Sequence, residues 1–265
     1  MKERNKHVIM YIVLIFFAVI WISPIFVAIE KSLQVTGFKS YISVLTYDKI
    51  NYFKVVLNSL IIAVSTASIV VLISSLAAYA FSKMKFIGSK VLYLLFLGCL
   101  AVPAAAVTMP LFSTIKNLGL IDTRLGVILP LIAFNTPMML LMITNYFNSI
   151  PNSLLESAKI DGANSFIVYR IIIMPLAIPI IANVLVLTFI YSWNEYLMPL
   201  LVVRTEGKYT VTLAAQYFMS TTFQSPADVA KIYAAMLLLT LPSIVVYMFS
   251  QKYLQAGLTA GAIKE

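Results

Sequence analysis

NSLIIAVSTASIVVLISSLAAYAF, from Asn58 to Phe81, contains no charged residue. It is longer than the roughly 20 apolar residues needed to cross a bilayer core of about 30 Å. In hydrocarbon every backbone N–H and C=O must be satisfied within the segment, so a run of this length reads as a helix and not a barrel strand. Five more apolar runs follow the same logic, at Val8 to Ile29, Val91 to Phe112, Gly126 to Phe147, Ile171 to Trp193 and Ala230 to Ser250. The expected fold is all-α, a polytopic membrane protein with six transmembrane helices forming one domain over 1–265. A composition that is 61% hydrophobic and 11% charged, with mean hydropathy +0.95, agrees with lipid as the solvent. Lys2, Arg4 and Lys6 precede the first run as they would in a signal peptide. That run is too long, and no small-residue cleavage site follows it, so it is read as a retained helix.

Orientation follows Lys and Arg in the short loops. With a cytoplasmic amino terminus the inner segments carry Lys2, Arg4, Lys6, Lys83, Lys85, Lys90, Lys159, Arg170, Lys252 and Lys264. The remaining cations are spread through longer outer loops. The concentration of charge in 1–7 and 82–90 therefore decides the side, and six spans return the carboxyl terminus to the cytoplasm. The net charge of +9 reads as topology and attraction to anionic lipid, with no nucleic-acid partner.

Catalytic chemistry is sparse. Cys99 stands alone in an apolar run and reads as a packing group, and His7, the one histidine, has no carboxylate or thiol cluster around it. No nucleophile–base set, phosphate-cradling glycine loop or metal-ligand spacing is present, so the chain is not expected to be an enzyme. Pro24, Pro103, Pro110, Pro130, Pro137, Pro175, Pro179 and Pro242 lie in or beside the spans and favour kinks. Ser65, Ser68, Ser74, Ser75, Ala77 and Ala78 give the second span a small surface suited to close helix contact. No charge falls near the middle of a span, which disfavours an ion-coupled carrier with buried carboxylates.

Neutral polar groups do occur in the spans: Asn135, Thr136, Asn183, Thr188 and Asn194, with aromatic Phe189, Tyr191 and Trp193 nearby. Aromatic faces and amides suit a sugar's C–H faces and hydroxyls. Asn183, Trp193 and Asn194 are the candidate substrate-pathway residues, with helix packing and interface anchoring as the competing role.

Between the fourth and fifth runs lies a polar, amphipathic loop at about 148–170, containing LLESAKIDGA from Leu154 to Ala163. Pro151 permits a helix start, and Ser153 with Glu156 has the spacing of a capping box. Leu154, Leu155 and Ala158 form an apolar stripe, and Gly162 can take the left-handed conformation that ends a helix. Ser165 is placed to cap a second helix running into the next span. An isolated helix of two turns is marginal in water. A groove on a partner is one surface that would hold it, and the lipid headgroup region is the other.

This loop resembles the EAA loop of the membrane subunits of ABC importers, with Ser157 where that family usually has a second Ala. Ser192-Trp193-Asn194-Glu195-Tyr196-Leu197-Met198-Pro199-Leu200 is similar to the W-N-E-x-L-x-P-L segment of carbohydrate ABC permeases of the maltose-permease second-subunit type. Gln251-Lys252-Tyr253-Leu254 with Gly257-Leu258-Thr259-Ala260-Gly261-Ala262-Ile263-Lys264 resembles that subfamily's carboxyl terminus. The resemblance implies a type I importer permease that moves a sugar or oligosaccharide by alternating access. Its implied partners are a homologous second permease subunit, two ATPase subunits, an extracellular sugar-binding protein and the bilayer. ATP-Mg would sit in the ATPase subunits, with no cofactor on this chain. It also implies that Glu156, Ser157, Ala158, Asp161 and Gly162 couple to the ATPase, that Thr259, Ala260, Gly261 and Ala262 approach it, and that the Glu206 to Asp228 loop faces the binding protein. The alternative is a secondary sugar carrier, which should show internal repeats that this chain lacks.

Overall fold

The computed structural model describes residues 2–84, 86–221 and 225–262, with side chains over 10–84, 86–219, 225–249 and at Gln251. All of its regular structure is helical: α1 (Lys2–Leu33), α2 (Lys39–Leu45), α3 (Tyr52–Lys83), α4 (Ser89–Gly98), α5 (Ala104–Asn117), α6 (Arg124–Ser149), α7 (Asn152–Ile160), α8 (Ser165–Leu176), α9 (Ile178–Asn194), α10 (Leu197–Val202), α11 (Val211–Thr221) and α12 (Pro226–Ala262), joined by short 3₁₀ turns. The chain divides into two compact units, one of Met1–Tyr52 with Ala214–Leu241, the other of Phe53–Leu213 with Pro242–Glu265.

Four segments, Met10–Leu33, Tyr52–Lys83, Arg124–Ser149 and Pro226–Phe249, are long and apolar enough to cross a membrane as single helices. The runs expected at 91–112 and 171–193 are not single helices. The first breaks between α4 and α5 with a bend of 103°, the second between α8 and α9 with a bend of 78°. Proline explains both. Pro103 holds Val102 extended (φ −83°, ψ 118°), because the ring excludes the helical conformation from the residue before it. Pro175 and Pro179 flank Ala177, and Pro179 has no N–H to return to the carbonyl four residues back. The bend turns Ala177 into the core, where it is fully buried. Within α8, residues Val168–Ile173 form a π-helix. Cys99 lies exposed at the first break, as do most residues of α4, with its thiol directed at Leu95 O at 3.5 Å, so it packs on no other element among the described residues.

In the first unit α1 presents an almost wholly exposed apolar surface, the face that lipid or a partner helix covers. Its carboxyl end is tied to α2 by the Ser32–Tyr41 hydroxyl pair at 2.7 Å. Tyr47 packs on Phe218 at 5.3 Å between ring centres and carries the Lys231 ammonium 3.8 Å above its own ring. Tyr52 closes the set by donating to the Leu238 carbonyl at 2.9 Å.

The second unit is built on α3, α6 and α9. On α3 the buried face runs Ala63, Thr66, Ala67, Val70, Ser74 and Ala78, the i, i+3/i+4 progression of one helix side. Small side chains there allow backbones to approach closely. Of the small residues expected on that face, Ser74, Ser75 and Ala78 are buried, whereas Ser68 is exposed. One core cluster gathers Val70, Tyr79, Leu140, Ile143, Phe147, Leu155, Val168 and Val184 from α3, α6, α7, α8 and α9. A second joins Ile62, Ile115, Val127, Leu131, Met198 and Val202 near the start of α6. There Gly126 has no room for a side chain, because a Cβ would stand 2.3 Å from the Leu120 carbonyl oxygen. Thr123 caps the same helix by accepting the Gly126 N–H at 3.0 Å.

Candidate functional site

Helix α7 forms where the polar loop is expected to fold, but its start differs from the capping box. Helicity begins at Asn152 with Pro151 preceding it and no side chain capping it. Ser153 lies inside the first turn, and its carbonyl accepts from the Ser157 hydroxyl at 3.0 Å. Pro151 is the extended cap residue (φ −59°, ψ 134°) and helicity starts at Asn152, ahead of the Leu154 start that the box requires, which leaves Ser153 and Glu156 inside the helix. The carboxyl end follows the expectation. Gly162 has φ +85°, its N–H donates to Lys159 O at 3.1 Å, and the Ala163 N–H donates to Ala158 O at 2.9 Å. These two bonds make the Schellman closure, with Ala158 and Ala163 packed together on the core. The next helix is capped one residue earlier than expected: Asn164 Oδ1, not Ser165, accepts the Ile167 N–H at 2.9 Å. An amide side chain reaches three residues on more readily than a hydroxyl already in the first turn.

α7 divides into three faces. Leu155, 5% exposed, and half-buried Ala158 turn inward to the core cluster. Asn152, Leu155, Glu156 and Lys159, at i, i+3, i+4 and i+7, border a cleft shared with the end of α3 and the start of α4. Leu154, Ser157, Asp161 and Gly162 are exposed on the remaining side. The apolar stripe expected from the sequence is therefore split. Leu155 and Ala158 fix the helix to its own chain, and Leu154 is left facing out with Ser157 and Asp161.

Three hydrogen bonds tie this loop to the long helices. The Lys83 ammonium at the end of α3 donates to Ile150 O at 2.6 Å and to Asn152 Oδ1 at 2.9 Å. Tyr169 in the π-helix meets the Ser75 hydroxyl of α3 at 2.8 Å. By sequence Lys83 is a topogenic charge alone, and nothing around it marks the bond it makes across 67 residues.

The other end of α6 carries a second polar hub that no motif in the sequence marks. Asp122 sits at φ +58°. Its carboxylate accepts from the Lys208 ammonium at 2.8 Å, the Thr205 hydroxyl at 2.7 Å and the main-chain N–H groups of Arg204 and Thr205. The Lys208 ammonium first, then Thr205, holds the Asp122 carboxyl well below the usual carboxylate range. Beside it the Arg124 guanidinium donates to Asn58 Oδ1 at 2.8 Å, and the Asn58 amide bonds the carbonyls of Gly207 and Tyr209. The connection between α10 and α11 is thereby pinned to the α5–α6 turn.

The three substrate-pathway candidates do not converge on one surface. Trp193 is 2% exposed and stacks on Phe189 at 5.6 Å, whereas Asn194 is exposed and bonds its own helix at Ile190 O. Asn183 is buried, and its Oδ1 has no partner among the described residues, as is true of the Thr188, Ser192 and Thr144 hydroxyls. Thr259, Ala260, Gly261 and Ala262 lie in the last turns of α12, with their side chains outside the described residues, as are Lys85, Ile263, Lys264 and part of the 206–228 loop. Among the described residues no cluster of His, Cys, Asp or Glu could hold a metal ion.

A sequence profile described as the binding-protein-dependent transport system inner membrane component matches residues 70–260. The trehalose transport system permease protein SugB of Mycobacterium tuberculosis is 34% identical over 209 residues, 78% of this chain and 76% of that one. The trehalose/maltose transport system permease protein MalG of Thermococcus litoralis is 32% identical over 226 residues, 85% and 81% of the two chains. A crystal structure of a bacterial ABC transporter that imports the acidic polysaccharide alginate contains a chain of the same fold, with TM-score 0.79 over 95% of this chain and 97% of that one at 24% identity.

Proposed function

The chain belongs to the binding-protein-dependent transport system inner membrane component family, and from that premise we propose that it is the membrane-spanning permease subunit of an ATP-driven importer for a sugar or oligosaccharide. Its multi-pass helical build and the sugar permeases among its relatives support the reading. A homologous permease completes the pathway, two ATPase subunits supply the energy from bound ATP-Mg, and an extracellular binding protein delivers the sugar. Both termini face the cytoplasm. No cofactor binds this chain.

The observation that carries the proposal is the build of α7. A two-turn helix has been given a complete carboxyl-terminal closure, a core anchor through Leu155 and an ammonium clamp from Lys83, and still leaves Leu154, Ser157 and Asp161 exposed on its outer side. That outer side docks in a groove of the ATPase. Closure of the ATPase pair then moves α7, and Leu155, Lys83 and Tyr169 pass the movement to α3, α6 and α8, whose rearrangement with the partner permease opens the site to alternate sides. Co-purification from the native membrane tests this. An ABC-type ATPase and a second permease should be recovered in stoichiometric amounts with the tagged chain, and recovery of the chain without either contradicts it.

A further inference from the structure

A cleft lies beside α7, on a different side of the helix from Leu154, Ser157 and Asp161. It measures about 950 Å³ and is walled by the end of α3, the start of α4, α7 and Ser165. Among the described residues three ammonium groups border it, from Lys83, Lys90 and Lys159, against one acid, Glu156. Lys83 is already bonded to Ile150 and Asn152. Lys90 and Lys159 make no hydrogen bond or ion pair among the described residues, and Glu156 does not pair with either. The rim is apolar and open, with Phe86 39% and Ile87 fully exposed.

Two cations unpaired among the described residues, Lys90 at the start of a span and Lys159 on α7, next to exposed apolar side chains match one amphiphile. A phosphate neutralises the ammonium groups while hydrocarbon covers the rim, and basic pockets between transmembrane helices on the cytoplasmic side are sites of this kind. We infer that the cleft binds the phosphate headgroup of an anionic membrane lipid, held by Lys90 and Lys159, with Phe86 and Ile87 lying along its chains. A free phosphate shares the headgroup chemistry but leaves Ile87 in water. On the topology proposed above the site belongs to the inner leaflet, and its occupant braces the start of α4 against α7.

The test uses the purified full-length chain in detergent micelles supplied with equimolar phosphatidylglycerol and phosphatidylcholine, with retained lipid counted by native mass spectrometry. Phosphatidylglycerol should be retained in preference, and the preference should fall about fivefold for each lysine removed in Lys90→Gln/Lys159→Gln. Lys39→Gln/Lys116→Gln, which removes the same charge elsewhere, should leave it unchanged. Ile87→Ser, at a position too exposed to affect folding, should weaken retention of the lipid. No preference in the parent chain, or equal loss in the control, overturns the site. Displacement of the lipid by inorganic phosphate with the same lysine dependence, and indifference to Ile87→Ser, would overturn the lipid assignment in favour of a soluble ligand. Lipid counting needs no ATPase or sugar, so failure here leaves the importer reading intact.

Discussion

The Ala163 N–H reaches back across Gly162 to the Ala158 carbonyl at 2.9 Å, and this bond fixes where α7 ends and where its outer face points. Gly162 holds φ +85°, and a Cβ there would meet nothing within 4 Å. The cost of replacing it is therefore one of backbone conformation alone, about 1–2 kcal/mol for an ordinary residue and more for a β-branched one. Gly162→Val should leave membrane insertion and the amount of chain unchanged while reducing recovery of the ATPase. Gly162→Ala should fall between. Full recovery with Gly162→Val means that this closure does not position the docking face.

Lys83 offers an independent test of the same helix. Lys83→Met keeps the aliphatic stem and removes the donors to Ile150 and Asn152, a loss of about 1–3 kcal/mol for hydrogen bonds from a charged group. The expected result is ATP hydrolysis retained but transport per ATP lowered in the assembled complex. Unchanged coupling would show that the clamp carries no force.

At the other end of α6, Asp122→Asn should lower thermal stability at neutral pH, again by about 1–3 kcal/mol. Asparagine tolerates the left-handed backbone, so the effect isolates the charge. The folded-state pKa of Asp122 lies below its unfolded value. Its contribution is accordingly full above about pH 4 and is lost as pH falls through the folded value. Melting curves of parent and variant should therefore differ most near neutrality and converge in acid. A difference that grows on acidification contradicts the assignment.

Much of the fold is legible in sequence because lipid leaves few choices. A run such as 58–81 can only be a helix, and Gly162 after an amphipathic turn can only be a stop. The rest depends on more than local signals. Helix α7 starts at Asn152, which leaves Ser153 inside it and not at the cap. The kinks at Pro103 and at the Pro175/Pro179 pair are legible in the prolines themselves, whereas their size, 103° and 78°, is not. The Asp122–Lys208 hub joins loops 86 residues apart, and no periodicity announces it.

Burial separates Trp193 from Asn194. Trp193 is buried on Phe189, so Trp193→Phe should reduce sugar-stimulated ATPase activity equally for two accepted sugars, in step with a stability loss on the order of 2 kcal/mol. Asn194→Ala, on an exposed side chain bonded within its own helix, should be close to neutral in stability. Unequal losses between the sugars for either variant would instead make that residue part of the pathway.

Uptake in sealed proteoliposomes tests the central claim most directly. The chain reconstituted alone should move no sugar. The same chain with its second permease, ATPase pair and loaded binding protein should accumulate sugar only when ATP is on the side that holds the ATPases. Robust uptake by the chain alone, or accumulation driven by an ion gradient without ATP, would contradict the account.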